Sequence, residues 1–173
     1  FDAGVYRIAG TDRKVTLGEV ARIAAVDMRE ALAAVGDFVG RMPAYPGGSA
    51  VCEIEIDPET AGVTVTRYTT VDDVGRPINP LILDGQTHGG IAQGVSQALH
   101  EGALFDASGQ LVTGSFMDYG IVRADALPAF ACELMEEPTQ ANPLRVKGGG
   151  EAGIVPATAC VLNALADALA SVP

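Results

Sequence analysis

The chain has 173 residues, 48% of them hydrophobic, enough for one substantial core; 22 acidic against 11 basic residues give a formal net charge of -11. That excess removes the sequence-independent attraction to phosphate backbones and anionic lipids, so nucleic acid and membrane surfaces are set aside as partners. No apolar run approaches the ~20 residues that span a bilayer and no leader-like segment opens the chain, so a cytoplasmic location is the expectation.

Cys52, Cys132 and Cys160 are far apart, odd in number and set in apolar stretches, which reads as buried thiols in a reducing compartment and not as a metal-binding spacing. The chain opens on Phe1 and not on Met, the mark of a fragment, a processed chain or a trimmed piece of something longer.

Thr16-Leu17-Gly18-Glu19 reads as a capping box, the Thr16 hydroxyl and the Glu19 carboxylate satisfying early helix amides reciprocally. The helix that follows repeats Val20, Ile23, Ala24, Met28, Ala31 and Leu32 at helical spacing, with Arg22, Arg29 and Glu30 opposite, and Gly36 ends it. Residues 42–48, rich in Pro and Gly, read as a linker. This divides the chain into an N-terminal helical segment with linker, 1–46, and a compact unit, 47–173.

From Val51 the period changes to two: Val51, Glu53, Glu55 and Asp57 alternate with Cys52, Ile54 and Ile56, residues 58–62 turn, and Val63, Val65 and Arg67 alternate with Thr64, Thr66 and Tyr68. A β-hairpin is the favoured reading. Residues 71–80, VDDVGRPINP, carry too many turn formers to continue the strand and are expected as a loop at the sheet's edge. Within 84–106, glycines precede a helical face of Ile91, Val95, Ala98 and Leu99, so a glycine-rich loop is expected to run into a helix. A strand is expected from Leu111, then TGSFMDYGIVRAD; VKGGGEAG, 146–153, precedes a helix opened in its first turn by Pro156 and running to about Leu169.

Two glycine loops that each end at a helix N-terminus suit a large anionic ligand, because backbone amides and the helix dipole point at it. Neither is a nucleotide fingerprint, and the plain alternative is that glycines merely permit turns. Lys147-Gly148-Gly149-Gly150-Glu151 is harder to dismiss, since three successive glycines cost backbone entropy without adding packing. Glu151 is either an acid or base presented on a loop or a helix N-terminal carboxylate stabilised by the dipole.

VDDVGRPINP, GQTHGGIAQG, TGSFMDY and KGGGEAG, in this order and spacing, resemble the C-terminal part of the molybdopterin-binding large subunit of the xanthine dehydrogenase, aldehyde oxidase and carbon monoxide dehydrogenase family. The likeness is greatest to the carbon monoxide dehydrogenase large-chain group and covers nearly the whole chain, most weakly before Gly47. The resemblance implies a molybdenum atom held by a pterin, in the molybdopterin cytosine dinucleotide form, with no direct protein ligand to the metal. It implies oxidation of an aldehyde, an N-heterocycle or carbon monoxide with water-derived oxygen, electrons leaving through iron-sulfur clusters and FAD on partner domains or subunits. The glutamate in the position of Glu151 would be the general base. Residues matching cofactor-contacting positions are Gln86, His88, Gly89, Gly90 and Gln93, then Gly114, Ser115, Phe116 and Met117, then Gly149 and Gly150. An upstream half of the large subunit and a small-molecule substrate complete the implied partners, and the chain alone is expected to be inactive.

The other candidates carry plainer readings beside the functional ones. His88 either approaches the metal's ligands or only bonds to backbone, and His100 is read as a surface helix residue. Asp72 and Asp73 are read as turn-stabilising more than as a metal pair, and Arg123 with Asp125 as a surface ion pair. Lys147 meets either cofactor phosphate or solvent, and Phe116 and Met117 line the cofactor or belong to ordinary core. The expected architecture is α+β, a mixed or antiparallel sheet with helices packed on one side and the two glycine loops converging at one end. The competing reading is a non-catalytic interaction or scaffold domain that keeps the fold.

Overall fold

The computed structural model describes residues 1–27, 35–40 and 43–170. They form two compact units, Phe1–Val39 and Gly40–Pro173.

In the first unit, β1 (Val5–Arg7) pairs antiparallel with β2 (Lys14–Thr16), and α1 (Leu17–Asp27) starts where β2 stops. The capping box is what switches strand to helix. The Thr16 amide donates to Glu19 Oε2 at 2.8 Å and the Glu19 amide donates to Thr16 Oγ1 at 3.2 Å. The Thr16 amide and, second, the Thr16 hydroxyl, which also donates to Glu19 Oε2 at 2.8 Å, hold the Glu19 carboxyl below its ordinary range. The β1–β2 ribbon was not anticipated from the sequence. Met28, Arg29, Glu30, Ala31 and Leu32 of the expected helix, and Met42 of the expected linker, lie outside the described residues.

The second unit is built on β3 (Gly47–Ile56) and β4 (Val63–Asp73), the expected hairpin, with Asp57 Oδ1 accepting the Glu59 amide at 2.8 Å to shape the turn. β5 (Phe130–Leu134) joins β4 in parallel, Tyr68 beside Phe130 and Asp72 beside Leu134, so the sheet is mixed, in the order β3-β4-β5. The 20-residue α2 (Pro80–Leu99) makes the crossover between these parallel strands, and α3 (Ile154–Leu169) packs on α2 and β3. Val65 and Tyr68 from the sheet, Ile91 and Val95 from α2, and Ala157 and Val161 from α3 form one buried cluster, which places both helices on one side. The α+β expectation is met.

Several local expectations are not. β4 runs through Asp73, so only residues 74–79 of the expected 71–80 loop are loop. Gln86, His88, Gly89, Gly90 and Gln93 lie inside α2, not in a loop ahead of it. The helix starts earlier because Asn79 caps it, accepting the Ile82 amide at 3.3 Å, and Pro80 supplies the preset φ of a first helical residue. Its glycines serve packing: a Cβ on Gly94 would lie 2.4 Å from Ala157 Cβ, and Thr158 Oγ1 donates to the Gly94 carbonyl at 3.2 Å. No strand runs from Leu111; it makes one bridge to Phe105 around a turn closed by Asp106 Oδ1, which accepts from Ser108 and Gln110 amides. Asp125 forms no ion pair with Arg123 among the described residues, because Arg123 instead precedes a short 3-10 turn, Ala124–Ala126.

A bulge at Glu53 and Ile54 also changes the alternation in β4. Glu53 sits opposite Arg67 and Ile54 opposite Val65, leaving Thr66 as the extra residue. Val65 therefore shares its face with Tyr68, Thr70 and Asp72, all of them buried. The cysteines are unpaired, and burial pushes the Cys52 and Cys132 thiols up to about 11.

Candidate functional site

The KGGGE segment is fixed at its root. Asp73, the last residue of β4, accepts the Gly75 amide at 2.8 Å and the Glu137 amide at 3.3 Å on Oδ1, and its Oδ2 forms an ion pair with Lys147 Nζ. The Lys147 amide donates to the Val74 carbonyl at 2.8 Å, so backbone and side chain of one residue both tie the segment to β4. Gly75 permits this closeness: it has φ +68, and a Cβ there would lie 2.6 Å from the Arg145 carbonyl oxygen. Lys147 is thus committed to Asp73, which answers whether it meets solvent or ligand.

Beyond that root the strap 148–150 leads to Glu151 and α3. Gln86 Nε2 donates to the Gly150 carbonyl at 3.2 Å, and the Val155 amide donates to the Glu151 carbonyl at 3.2 Å. Gly153 lies so close to α2 that a Cβ would fall 2.3 Å from the Thr87 carbonyl oxygen. The middle of α2 and the strap are therefore in direct contact. The strap, the start of β3, the end of β4 and the start of α3 border a cleft of about 370 Å³ lined by Pro46, Gly47, Gly48, Asp72, residues 148–150, Glu151, Ala152, Val155 and Pro156. Glu151 is exposed in it. Among the described residues, the amides of Gly148, Gly149, Gly150 and Glu151 donate to no protein acceptor.

The two aspartates at the end of β4 are shifted in opposite directions. Burial pushes Asp73 up, but the Lys147 ammonium and the Gly75 and Glu137 amides together outweigh it and leave the carboxyl below its ordinary range. Burial pushes Asp72 up, and the Thr70 hydroxyl only partly offsets it.

Of the sequence-derived candidates, Gly149, Gly150 and Glu151 line the cleft, and Gln86 is brought to them through its bond to the Gly150 carbonyl. Gly90 packs against Gly153 and Ile154 beside it. His88 turns elsewhere: its ring lies 5.6 Å from that of Phe130, and its Nδ1 is 3.7 Å from Asp84 Oδ2, one helical turn back. Gly89 has open space around it and Gln93 is exposed. Gly114, Ser115, Phe116 and Met117 are not among the cleft lining; they form a turn in which Ser115 Oγ donates to Asp118 Oδ2 at 2.7 Å, with Phe116 and Met117 89% and 94% exposed. Those two are therefore not core residues. The sequence reading missed Gly47, Gly48 and Asp72 as cleft residues. The alternation Tyr68, Thr70, Asp72 was the available signal, obscured by the bulge.

A cleft walled by bare peptide, with unused amides at a helix N-terminus and a neutral glutamine amide beside them, has the donor set for a flat ligand carrying anionic groups. The residues fit a pterin-type cofactor. The comparisons with known proteins agree. The family model described as molybdopterin cofactor-binding domain matches residues 1–128, and the chain belongs to that family. It is 38% identical over 175 residues to the 6-hydroxypseudooxynicotine dehydrogenase complex subunit gamma of Paenarthrobacter nicotinovorans, covering 97% of this chain and 22% of that protein. It is 33% identical over 126 residues to the carbon monoxide dehydrogenase large chain of Afipia carboxidovorans, covering 73% of this chain and 16% of the relative. Among solved structures it superposes on Cu,Mo-CO dehydrogenase in its carbon monoxide reduced state with a TM-score of 0.82 at 29% identity, over 98% of this chain and 22% of that one. The chain thus spans about a fifth of the length of the relatives it matches. No helix among the described residues is long and apolar enough to cross a membrane.

Proposed function

We propose that this chain supplies one wall of the active site of a molybdenum-dependent oxidoreductase that oxidises an aldehyde, an N-heterocycle or carbon monoxide with water-derived oxygen. The observation that carries the reading is the exposed Glu151 carboxylate at the end of a glycine strap with unused amides, beside a cleft and braced by Gln86. In this reading the cofactor is molybdopterin cytosine dinucleotide. When bound, it supplies a two-electron acceptor at molybdenum beside the reacting carbon.

The chain's own residues do the rest. The amides of the strap and the N-terminus of α3 offer fixed donors to anionic oxygens, which costs no reorganisation when the ligand arrives. Gln86 holds the Gly150 carbonyl and so fixes the direction in which Glu151 leaves the strap. Glu151 takes up a proton at its carboxylate as the water-derived oxygen attacks the substrate carbon, the role of a general base. His88, Gly89, Gly90 and Gln93 on α2, and Gly114, Ser115, Phe116 and Met117, belong in this reading to the wider ligand contacts, which an upstream half of the large subunit completes. Iron-sulfur and FAD partners carry the electrons away. The names of the relatives, a dehydrogenase complex subunit and a carbon monoxide dehydrogenase large chain, support an assembly of this kind.

Glu151→Gln in the assembled enzyme tests it. Molybdenum and pterin content should stay at the wild-type level while turnover falls by at least two orders of magnitude, the upper part of the usual contribution of a general base, ~10²–10⁴. Unchanged turnover would end the assignment.

A further inference from the structure

Asp72 is 3% exposed, yet it lines the same cleft as Glu151. The one hydrogen-bond partner of its carboxyl among the described residues is the Thr70 hydroxyl, 3.2 Å from Oδ2. The same Thr70 oxygen lies 3.2 Å from the Ser49 carbonyl, which can only accept. Thr70 has a single proton, and giving it to Ser49 leaves its lone pairs facing Asp72. That single proton serves either the Ser49 carbonyl or the Asp72 carboxylate, and both contacts are made at once when Asp72 Oδ2 carries a proton of its own.

Burial favours that state, and the charged groups that share its two clefts are acidic. Asp84 from α2, with Glu133 of β5 and the nearby Glu136, borders a second cleft that Asp72 shares, and Glu151 stands across the first. Tyr68 and Cys132, also within its electrostatic reach, are neutral groups whose ionisation burial opposes. From β3 the strand segment beside it is Gly47 and Gly48, which bring no charge. Lys147, a cation at this end of the sheet, is bound to Asp73, and among the described residues no salt bridge reaches Asp72. Burial without a counter-ion disfavours the carboxylate form.

Asp72 Oδ1 makes no hydrogen bond among the described residues, and it lies only 2.6 Å from where a Cβ on Gly48 would stand. A bare residue at 48 is what leaves this oxygen its place at the cleft. We propose that Asp72 is a ligand-contacting residue held as a neutral carboxylic acid, its Oδ2–H donating to the Thr70 hydroxyl while that hydroxyl donates to the Ser49 carbonyl, and its Oδ1 offered as an acceptor to an N–H group of the bound ligand. A heterocycle edge bearing an amino or lactam N–H satisfies Oδ1. A phosphate oxygen would set lone pair against lone pair. That the heterocycle is a pterin rests on the function proposed above; the neutral state of Asp72 does not.

The experiment compares wild type, Asp72→Asn and Asp72→Leu in the assembled enzyme by two readouts. The first is the infrared C=O stretch of a protonated carboxyl at neutral pH, expected in wild type and missing from both variants. The second is pterin retained through purification, read by fluorescence of its oxidised form. Asparagine keeps the neutral Oδ1 acceptor and a donor to Thr70, so it should retain at least half the wild-type pterin, whereas leucine should retain less than a tenth. Equal loss in both variants, wild-type retention in Asp72→Leu, or no protonated-carboxyl band in wild type would each overturn the proposal. Should Asp72→Leu fail to fold, Thr70→Val replaces it, with a band shifted to that of a carboxyl lacking its acceptor as the expected result and an unmoved band as the contrary one. A wild-type enzyme without pterin refutes the proposed function and the pterin contact together, and the band then still decides the neutral acid by itself.

Discussion

The two glycine-rich segments look alike in composition and do opposite work. In α2 the amides of Gly85, Gly89, Gly90 and Gly94 belong to a helix, and the missing side chains of Gly90 and Gly94 let α3 approach to contact distance. In the strap 148–150 the amides are unspent among the described residues, and Gly148 and Gly150 stand bare at the cleft, although a Cβ on Gly149 would lie 2.6 Å from Leu83 Cδ2. Glycine density therefore does not mark a ligand loop. What distinguishes the two is where the backbone hydrogen bonds go.

The sharpest way to break this comparison is to fill the helix seam. Gly94→Leu must displace Ala157 and should cost about 3 kcal/mol or more in urea unfolding, while Gly89→Ala, with open space around it, should gain up to about 1 kcal/mol. Equal effects would mean that α2 and α3 do not meet as described.

Next in size is the root of the strap. Lys147→Met leaves Asp73 mostly buried without its cation and should cost roughly 3 kcal/mol in chemical unfolding. Because the folded-state pKa of Asp73 is lowered, its stabilisation is present above the unfolded value, about 4, and is lost as pH falls through the folded value. The variant should therefore lose part of the wild type's acid-unfolding transition.

Asp72 should behave in the opposite sense and by less. Its folded-state pKa is raised, so the stability linked to its proton is fully present below the unfolded value and is lost as pH rises toward the folded one. Asp72→Asn should therefore have a higher Tm than wild type at neutral pH and lose that advantage at pH 3. A Tm difference that grows on acidification would contradict the shift.

The smallest expected effect on stability comes from the strap itself. At Gly150 a Cβ meets only Gln86 Nε2, at 3.7 Å, so Gly150→Ala should change unfolding free energy by no more than about 0.5 kcal/mol. Retained molybdenum and pterin should nevertheless fall severalfold, measured by metal analysis and fluorescence. That combination is the signature of a backbone kept bare for a ligand and not for packing.

Features that depend on neighbours along the chain are legible in the residues themselves. The Thr16 and Glu19 capping box, the hairpin with its Asp57 turn, the helix after Gly153 and the KGGGE strap all follow from residues within a few positions of one another, because their hydrogen bonds are local. The start of α2 was written in Asn79-Pro80 and was masked by the glycines that follow. Only the tertiary structure decided the rest. β5 exists because a parallel partner, Tyr68 to Asp72, receives a short strand that has little pattern of its own. The extra residue at Thr66 turns Asp72 and not Asp73 toward the helices, and Lys147, far along the chain, then gives Asp73 its charge partner while Asp72 has none. Register and burial are set by contacts between distant segments, and those contacts make two adjacent, chemically identical side chains into an ion-paired anchor and a buried carboxyl with its pKa raised.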